Sequence, residues 1–261
     1  MSDAVPDRKP DSALSVQLRL IVALVLRGLV SEVGSTWTGV IGILVRPAVI
    51  VLLFYVLYSV FHRLTPQGMP LLGYLVTGWL AWFLFMRTFS TPRGSSALLL
   101  FPHMTPLDLQ IAEAVLQWFI YTFVFLLFVG GALLIERSAP PANPLYVIIS
   151  FWSVAVIGAL LGLNFSSIAR VVPIVELMRM PIQRLGIFVT GILVTAADTP
   201  SSVLAYMSWN PLFHSIELMR EAWWPAYVSP LADAWYVLRC IFILAVVGLV
   251  LERSTRKYIK S

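Results

Sequence analysis

The sequence predicts an all-α integral membrane protein with six transmembrane helices, and three observations carry that prediction. Of the 261 residues 59% are hydrophobic and only 12% are charged, with a mean hydropathy of +0.87, an apolar surface that a soluble domain of this size has no room to bury. The apolar residues form continuous runs near the ~20 residues that cross a bilayer, where barrel strands would alternate. One stretch, 201–225, is by contrast too polar to cross.

Residues 1–11 mix both charge signs with two prolines and read as a flexible tail. In residues 12–33, Ser15, Arg19, Ala23, Arg27 and Ser31 repeat every four positions. That spacing makes a polar stripe along an amphipathic helix lying in the membrane interface. A first true span is the alternative; Asp3, Asp7 and Asp11 argue against a signal peptide. Spans are expected at Thr38 to Phe61, Leu71 to Met86, Leu109 to Ile135, Leu145 to Ile168, Pro181 to Ala197 and Ala232 to Leu251, within a single membrane domain over 34–251. A basic tail, 252–261, follows.

Arg8, Lys9, Arg19, Arg27, Arg87, Arg93, Arg170, Arg179, Arg184, Arg253, Arg256, Lys257 and Lys260 all fall in one set of alternate segments. The positive-inside rule then places both termini in the cytoplasm. The net charge of +5 does not point to nucleic acid, because these residues are spread singly and form no face or arm.

The polar stretch belongs to an outer-face hairpin over 199–228. A short helix, Ser201 to Met207, must break before Asn210, a helix cap, and Pro211, suited to a first helical position. In the second helix Leu212, Ile216, Met219 and Trp223 recur at helical spacing, with His214, Glu217 and Glu221 on the opposite face, so an amphipathic surface helix is expected. Burying His214, Glu217, Arg220 and Glu221 in hydrocarbon would cost several kcal/mol, roughly 2.5 to 3.5 for each charged group. Tyr206, Trp209, Trp223 and Trp224 suit a membrane interface.

Within the spans, Arg46 before Pro47 either faces a wet cavity or snorkels to headgroups. Tyr55 and Tyr58 in the first span, with Tyr74, Trp79, Trp82 and Phe83 in the second, either line a sugar path or serve interface belts and core packing. Ala155, Gly158, Ala159 and Gly162 permit close helix packing. In the loop 91–108, Ser95 and Ser96 can cap a short apolar helix, Ala97 to Phe101, ended by Pro102. Such a helix suits a protein groove or a membrane-hugging turn.

No P-loop is present, since none of the three lysines follows a glycine. His62, His103 and His214 are dispersed, and no GxSxG, HExxH or CxxC occurs. Cys240 stands alone, which excludes an internal disulfide. Asp108 and Glu113, five positions apart, fall on different faces, and capping with snorkelling accounts for them better than acid–base work. An enzyme lacks a visible site, and a purely structural scaffold fits poorly with the intramembrane Arg46 and the apolar loop helix.

The whole pattern resembles the ABC-2 family of exporter permeases. The run LLLFPHMTPLDLQIAEAVLQW, from Leu98 to Trp118, is similar to the loop and third span of capsular polysaccharide export permeases, with Thr105 to Asp108 the most specific part. TWTGVIGILVRPAVIVLLFYVLYSVF suits their first span, whereas Glu113 stands where similar sequences suggest a basic residue. The resemblance implies a non-enzymatic permease subunit in a Gram-negative inner membrane, paired with a second copy and with an ABC ATPase dimer that binds ATP and Mg; no cofactor is expected in this chain. The cargo would be a lipid-linked capsular polysaccharide, passed on to periplasmic adaptor and outer-membrane export proteins. The loop helix becomes a cytoplasmic coupling helix, docking through Ser95, Ser96, Leu98, Leu99, Leu100, Phe101 and His103. The hairpin, with Trp209, Asn210, Pro211, His214, Glu217 and Arg220, becomes a re-entrant periplasmic exit. Arg46, Tyr55, Tyr58, Tyr74, Trp79, Trp82 and Arg87 become channel candidates, the two cations suiting anionic sugars. O-antigen or teichoic acid permeases share this architecture, and a small-hydrophobe or drug exporter is a further alternative.

Overall fold

The computed structural model describes residues 13–34, 37–61, 65, 68–92 and 104–256. Within them the protein is all-helical, with α1 Ala13–Val33, α2 Trp37–Val60, α3 Leu71–Phe89, α4 Pro106–Glu136, α5 Pro144–Ala169, α6 Ile174–Val189, α7 Ser201–Met207, α8 Pro211–Trp223 and α9 Ala234–Thr255. The tail 1–11, the loop helix from Ser95 to Phe101 with His103, and residues 257–261 lie outside the described residues.

α3 is the centre of the bundle. It is buried on every face from Gly73 to Phe85, and it packs against α2, α4, α5 and α8. A helix apolar all round is stable only when enclosed in this way. Glycines let α5 close on it. A Cβ at Gly158 would lie 2.2 Å from Thr88 Oγ1, and one at Gly162 would lie 3.0 Å from the Phe89 carbonyl. By contrast α2, α4 and α9 keep large apolar side chains exposed, including Leu52, Leu53, Phe119, Phe123, Phe242 and Ile243, as a lipid-facing surface requires. α1 packs along α4 and α2.

Local chemistry sets several helix starts. Thr105 and Asp108 form a reciprocal capping box on α4, and Asn143, Asn210 and Asp233 cap α5, α8 and α9. The ends of the bundle differ. Arg87, Arg170, Arg179 and Arg253 mark a basic end; the α7–α8 hairpin marks the other.

Two expectations need correction. Five helices are long and apolar enough to cross a membrane: Gly39–Val60, Leu71–Phe89, Pro106–Glu136, Pro144–Ala169 and Ala234–Thr255. The run expected at Pro181 to Ala197 is not a continuous helix. α6 begins earlier, at Ile174, and ends at Val189 after 16 residues, about 24 Å, against roughly 30 Å of hydrocarbon. The chain then turns through Gly191, at a φ of +74°, into an irregular but buried segment. Secondly, α8 is no surface helix. His214, Glu217 and Arg220 are buried at 4%, 0% and 0% exposure, because polar partners in the protein take the place of water.

Candidate functional site

Two clusters of buried polar groups sit at the two ends of α6. At the hairpin end they serve the broken backbone. A segment that leaves helical geometry within a membrane protein exposes carbonyl groups, tolerated only where protein partners satisfy them. Here Arg220 supplies most of those partners: Nη1 donates to the Gly191 carbonyl at 2.7 Å and the Val194 carbonyl at 3.2 Å, and Nη2 donates to the Ile192 carbonyl at 3.1 Å. Its guanidinium lies 4.3 Å from the centre of the Tyr74 ring. Asn210 acts at both helices, its Oδ1 capping the Leu212 N–H at 3.0 Å and its Nδ2 donating to the Val189 carbonyl at 2.8 Å.

Glu217 balances this buried cation. Its Oε1 pairs with Arg220 Nη1 at 3.3 Å, and its Oε2 accepts from the Ala196 N–H at 3.2 Å, the Ser229 hydroxyl at 2.7 Å and the Tyr227 hydroxyl. Burial and then the Glu217 charge push the Tyr227 phenol well above its ordinary range, so Tyr227 stays protonated and donates. His214 Nε2 lies 2.8 Å from the Ser208 carbonyl, and its ring packs 4.5 Å from that of Tyr236. Pro211 opens α8, whereas Trp209 is 81% exposed.

At the basic end the polar groups close the terminus of α3. Gln110 of α4 donates to the Thr88 carbonyl at 2.9 Å, Gln183 to the Met86 carbonyl at 3.2 Å, and Arg179 Nη1 to the Phe89 carbonyl. Arg179 also holds Glu176 through Nε at 2.8 Å and lies 4.9 Å from the Phe89 ring centre. A cation at a helix C-terminus complements its dipole, as an acid does at the start. The acid is Glu136, which accepts from the Leu72 and Gly73 N–H groups at 2.8 and 3.3 Å.

The sequence reading missed Glu176, Arg179 and Gln183 as a site and took Arg179 as a topology signal. The available signal was a stripe at helical spacing, Glu176, Arg179, Gln183 and then Gly186, where a Cβ would meet the Trp82 ring at 2.5 Å.

Tyr58, Tyr74, Trp79 and Trp82 belong to the bundle core, each 6% exposed or less. The four rings pack against core neighbours. Tyr58 also donates to the Leu193 carbonyl at 3.1 Å, tying α2 to the irregular segment. Tyr55 differs, bordering an apolar cleft of about 560 Å³ between α2 and α4. Arg46 is exposed on α2, beside the buried Pro47. Arg87 pairs with Glu32 of α1 at 3.4 Å, and Gln117 bridges Glu32 and Glu113 at 3.0 and 2.8 Å. That bridge gives the unexpected Glu113 a local role. Ser95, Ser96, Leu98, Leu99, Leu100, Phe101 and His103 cannot be placed, being outside the described residues.

No family model matches the chain. It is similar at low identity, over nearly full length, to curated proteins. Polysialic acid transport protein KpsM of Escherichia coli is 24% identical over 249 residues, covering 93% of this chain and 96% of the relative. Capsule polysaccharide export inner-membrane protein CtrC of Neisseria meningitidis serogroup A is 21% identical over 248 residues, 91% of each chain. Its counterpart BexB of Haemophilus influenzae is 18% identical over 252 residues, 95% of each.

Proposed function

From its kinship to capsule polysaccharide export inner-membrane proteins, which are ABC-2 type permeases, we propose that this chain is the permease subunit of an ATP-driven exporter. It moves a lipid-linked capsular polysaccharide across the bacterial inner membrane to the periplasm. The observation that carries the reading is the coverage: similarity runs over at least 91% of this chain and of each relative described, so the whole membrane domain is shared and not one motif. The capsule and polysialic acid in the relatives' names favour that cargo over O-antigen, teichoic acid or a small hydrophobe.

The basic end faces the cytoplasm, in keeping with the positive-inside rule, and the hairpin faces the periplasm. α6 and the buried segment after it together make the fifth of six crossings, a broken helix whose break is enclosed by protein. Two copies form the path, and a separate ATPase pair supplies the energy, since this chain carries no P-loop lysine. ATPase closure acts on the loop between α3 and α4 and shifts the helices between two arrangements. For an acidic polymer, the exposed Arg46 is the cation best placed to meet sugar carboxylates.

Reconstitution tests this. Proteoliposomes holding the chain with its partner ATPase are expected to transfer lipid-linked polysaccharide across the bilayer when ATP is added. Replacing Leu98, Leu99 and Leu100 by aspartate is expected to abolish transfer and co-purification of the ATPase. Transfer that proceeds without the ATPase would defeat the reading.

A further inference from the structure

The polar clusters described above grip opposite ends of one helix, and the inner one reaches past α3 into the loop that follows. Thr91 Oγ1, two residues beyond the end of α3, donates to Glu176 Oε1 at 2.7 Å. Glu176 is in turn held by Arg179 through Nε at 2.8 Å and Nη2 at 3.1 Å. Arg179 reaches back to the Phe89 carbonyl, and Gln183 Nε2 donates to Ser90 Oγ at 3.0 Å. The chain leaving α3 is therefore bound to side chains of α6 through the Phe89 carbonyl and the Ser90 and Thr91 hydroxyls. At the far end Asn210 holds the last carbonyl of α6, and Arg220 holds the segment after it.

The face of α6 turned away from α3 is loosely clothed. Leu177, Met178, Leu185 and Phe188 are 57% to 73% exposed. Apolar contacts slide past one another at little cost, whereas a charge-assisted hydrogen bond is directional and short-ranged, so a displacement either drags the partner or breaks the bond. A helix bonded through Glu176, Arg179 and Gln183 towards one end and through Asn210 at the other, with Gly186 seated on the Trp82 ring between them, moves as one body, a rod.

We propose that α6 carries movement of the α3–α4 loop to the outer hairpin, with Glu176 and Arg179 as the positioning residues that couple the loop to the rod. The inference rests on the export reading, which makes that loop the place where the ATPase acts. Arg179 also closes the end of α3, so Thr91→Val is the cleaner variant: Thr91 is exposed, and the change removes its hydroxyl bond to Glu176 while keeping its shape. Thr91→Val combined with Glu176→Gln weakens the grip further.

The reporter is Val228→Cys in a Cys240→Ser background. Val228 is 68% exposed and lies between Tyr227 and Ser229, both bonded to Glu217. The assembled complex in nanodiscs is labelled with an impermeant maleimide, with and without ATP and vanadate. In the otherwise unchanged complex, nucleotide is expected to alter the labelling rate by about threefold or more; in both Thr91 variants the change should shrink to under about 1.5-fold, with ATP hydrolysis held within about twofold and export falling about tenfold. A residue that merely stabilised the fold would lower hydrolysis and assembly together with export. The rod is overturned if the labelling response survives in the double variant, if the unchanged complex shows no response, or if hydrolysis is lost with it. Should the response behave as expected while no polysaccharide moves, the rod stands and the cargo assignment falls.

Discussion

Arg220 and Glu217 form a charge pair with no solvent contact on either side chain. In such a place desolvation is repaid only when nearly every donor and lone pair is used, and loss of one partner strands the other. Arg220→Met is therefore expected to destabilise the protein by about 3–5 kcal/mol, and the double change with Glu217→Gln by less than the sum of the two single changes. The exposed pair Arg239 and Asp233, at 3.5 Å with 68% and 44% exposure, is the control; Arg239→Met should cost about 1 kcal/mol or less. Chemical unfolding in mixed micelles measures all of these. The sequence marked the pair as too polar for lipid, which is sound, but lipid and solvent were not the only choices. A protein interior with three free carbonyls was the third, and spacing within α8 alone does not reveal it.

Among the elements, those with start signals of their own were readable. Asn210 and Pro211 open α8 at the expected residues, and the capping role given to Asp108 on α4 is what its bonds to Thr105 show. The long apolar runs also fall within a few residues of α2, α3, α4, α5 and α9. α6 was not readable in the same way, because the apolar sequence continues past Val189 without a proline or a charge until Asp198. What ends the helix is tertiary: the Phe213 ring lies where a Cβ of Gly191 would come within 2.4 Å, and Arg220 takes the carbonyls that helix bonds would have used. Gly191→Ala must adopt a left-handed conformation, at about 1–2 kcal/mol, and must also displace that ring. It is expected to lower the unfolding temperature clearly, while Gly42→Ala, with no atom within 4 Å of the added carbon, should leave it unchanged or slightly raise it. Equal stability of the two variants would mean that the break is not built around Gly191.

At the scale of the molecule, the central claim is that a chain with five long apolar helices crosses the membrane six times, the extra passage being made by a short helix and a buried irregular segment. Composition and charge distribution made the membrane class and the alternation of basic segments legible. They did not reveal that the helix before the hairpin stops at Val189, because hydropathy records how apolar a stretch is and not whether its backbone stays helical. The number of crossings decides sidedness: six return the end of α9 to the side of α1, five leave it opposite. The direct measurement is labelling of single cysteines by an impermeant maleimide in a Cys240→Ser background, at Leu18 on α1, Val228 after α8 and Ser254 on α9, all exposed. In spheroplasts, Val228→Cys is expected to react at once, and Leu18→Cys and Ser254→Cys only after permeabilisation. Reaction of Leu18→Cys and Ser254→Cys from opposite sides would contradict the broken crossing, and with it the outward hairpin on which the export path depends.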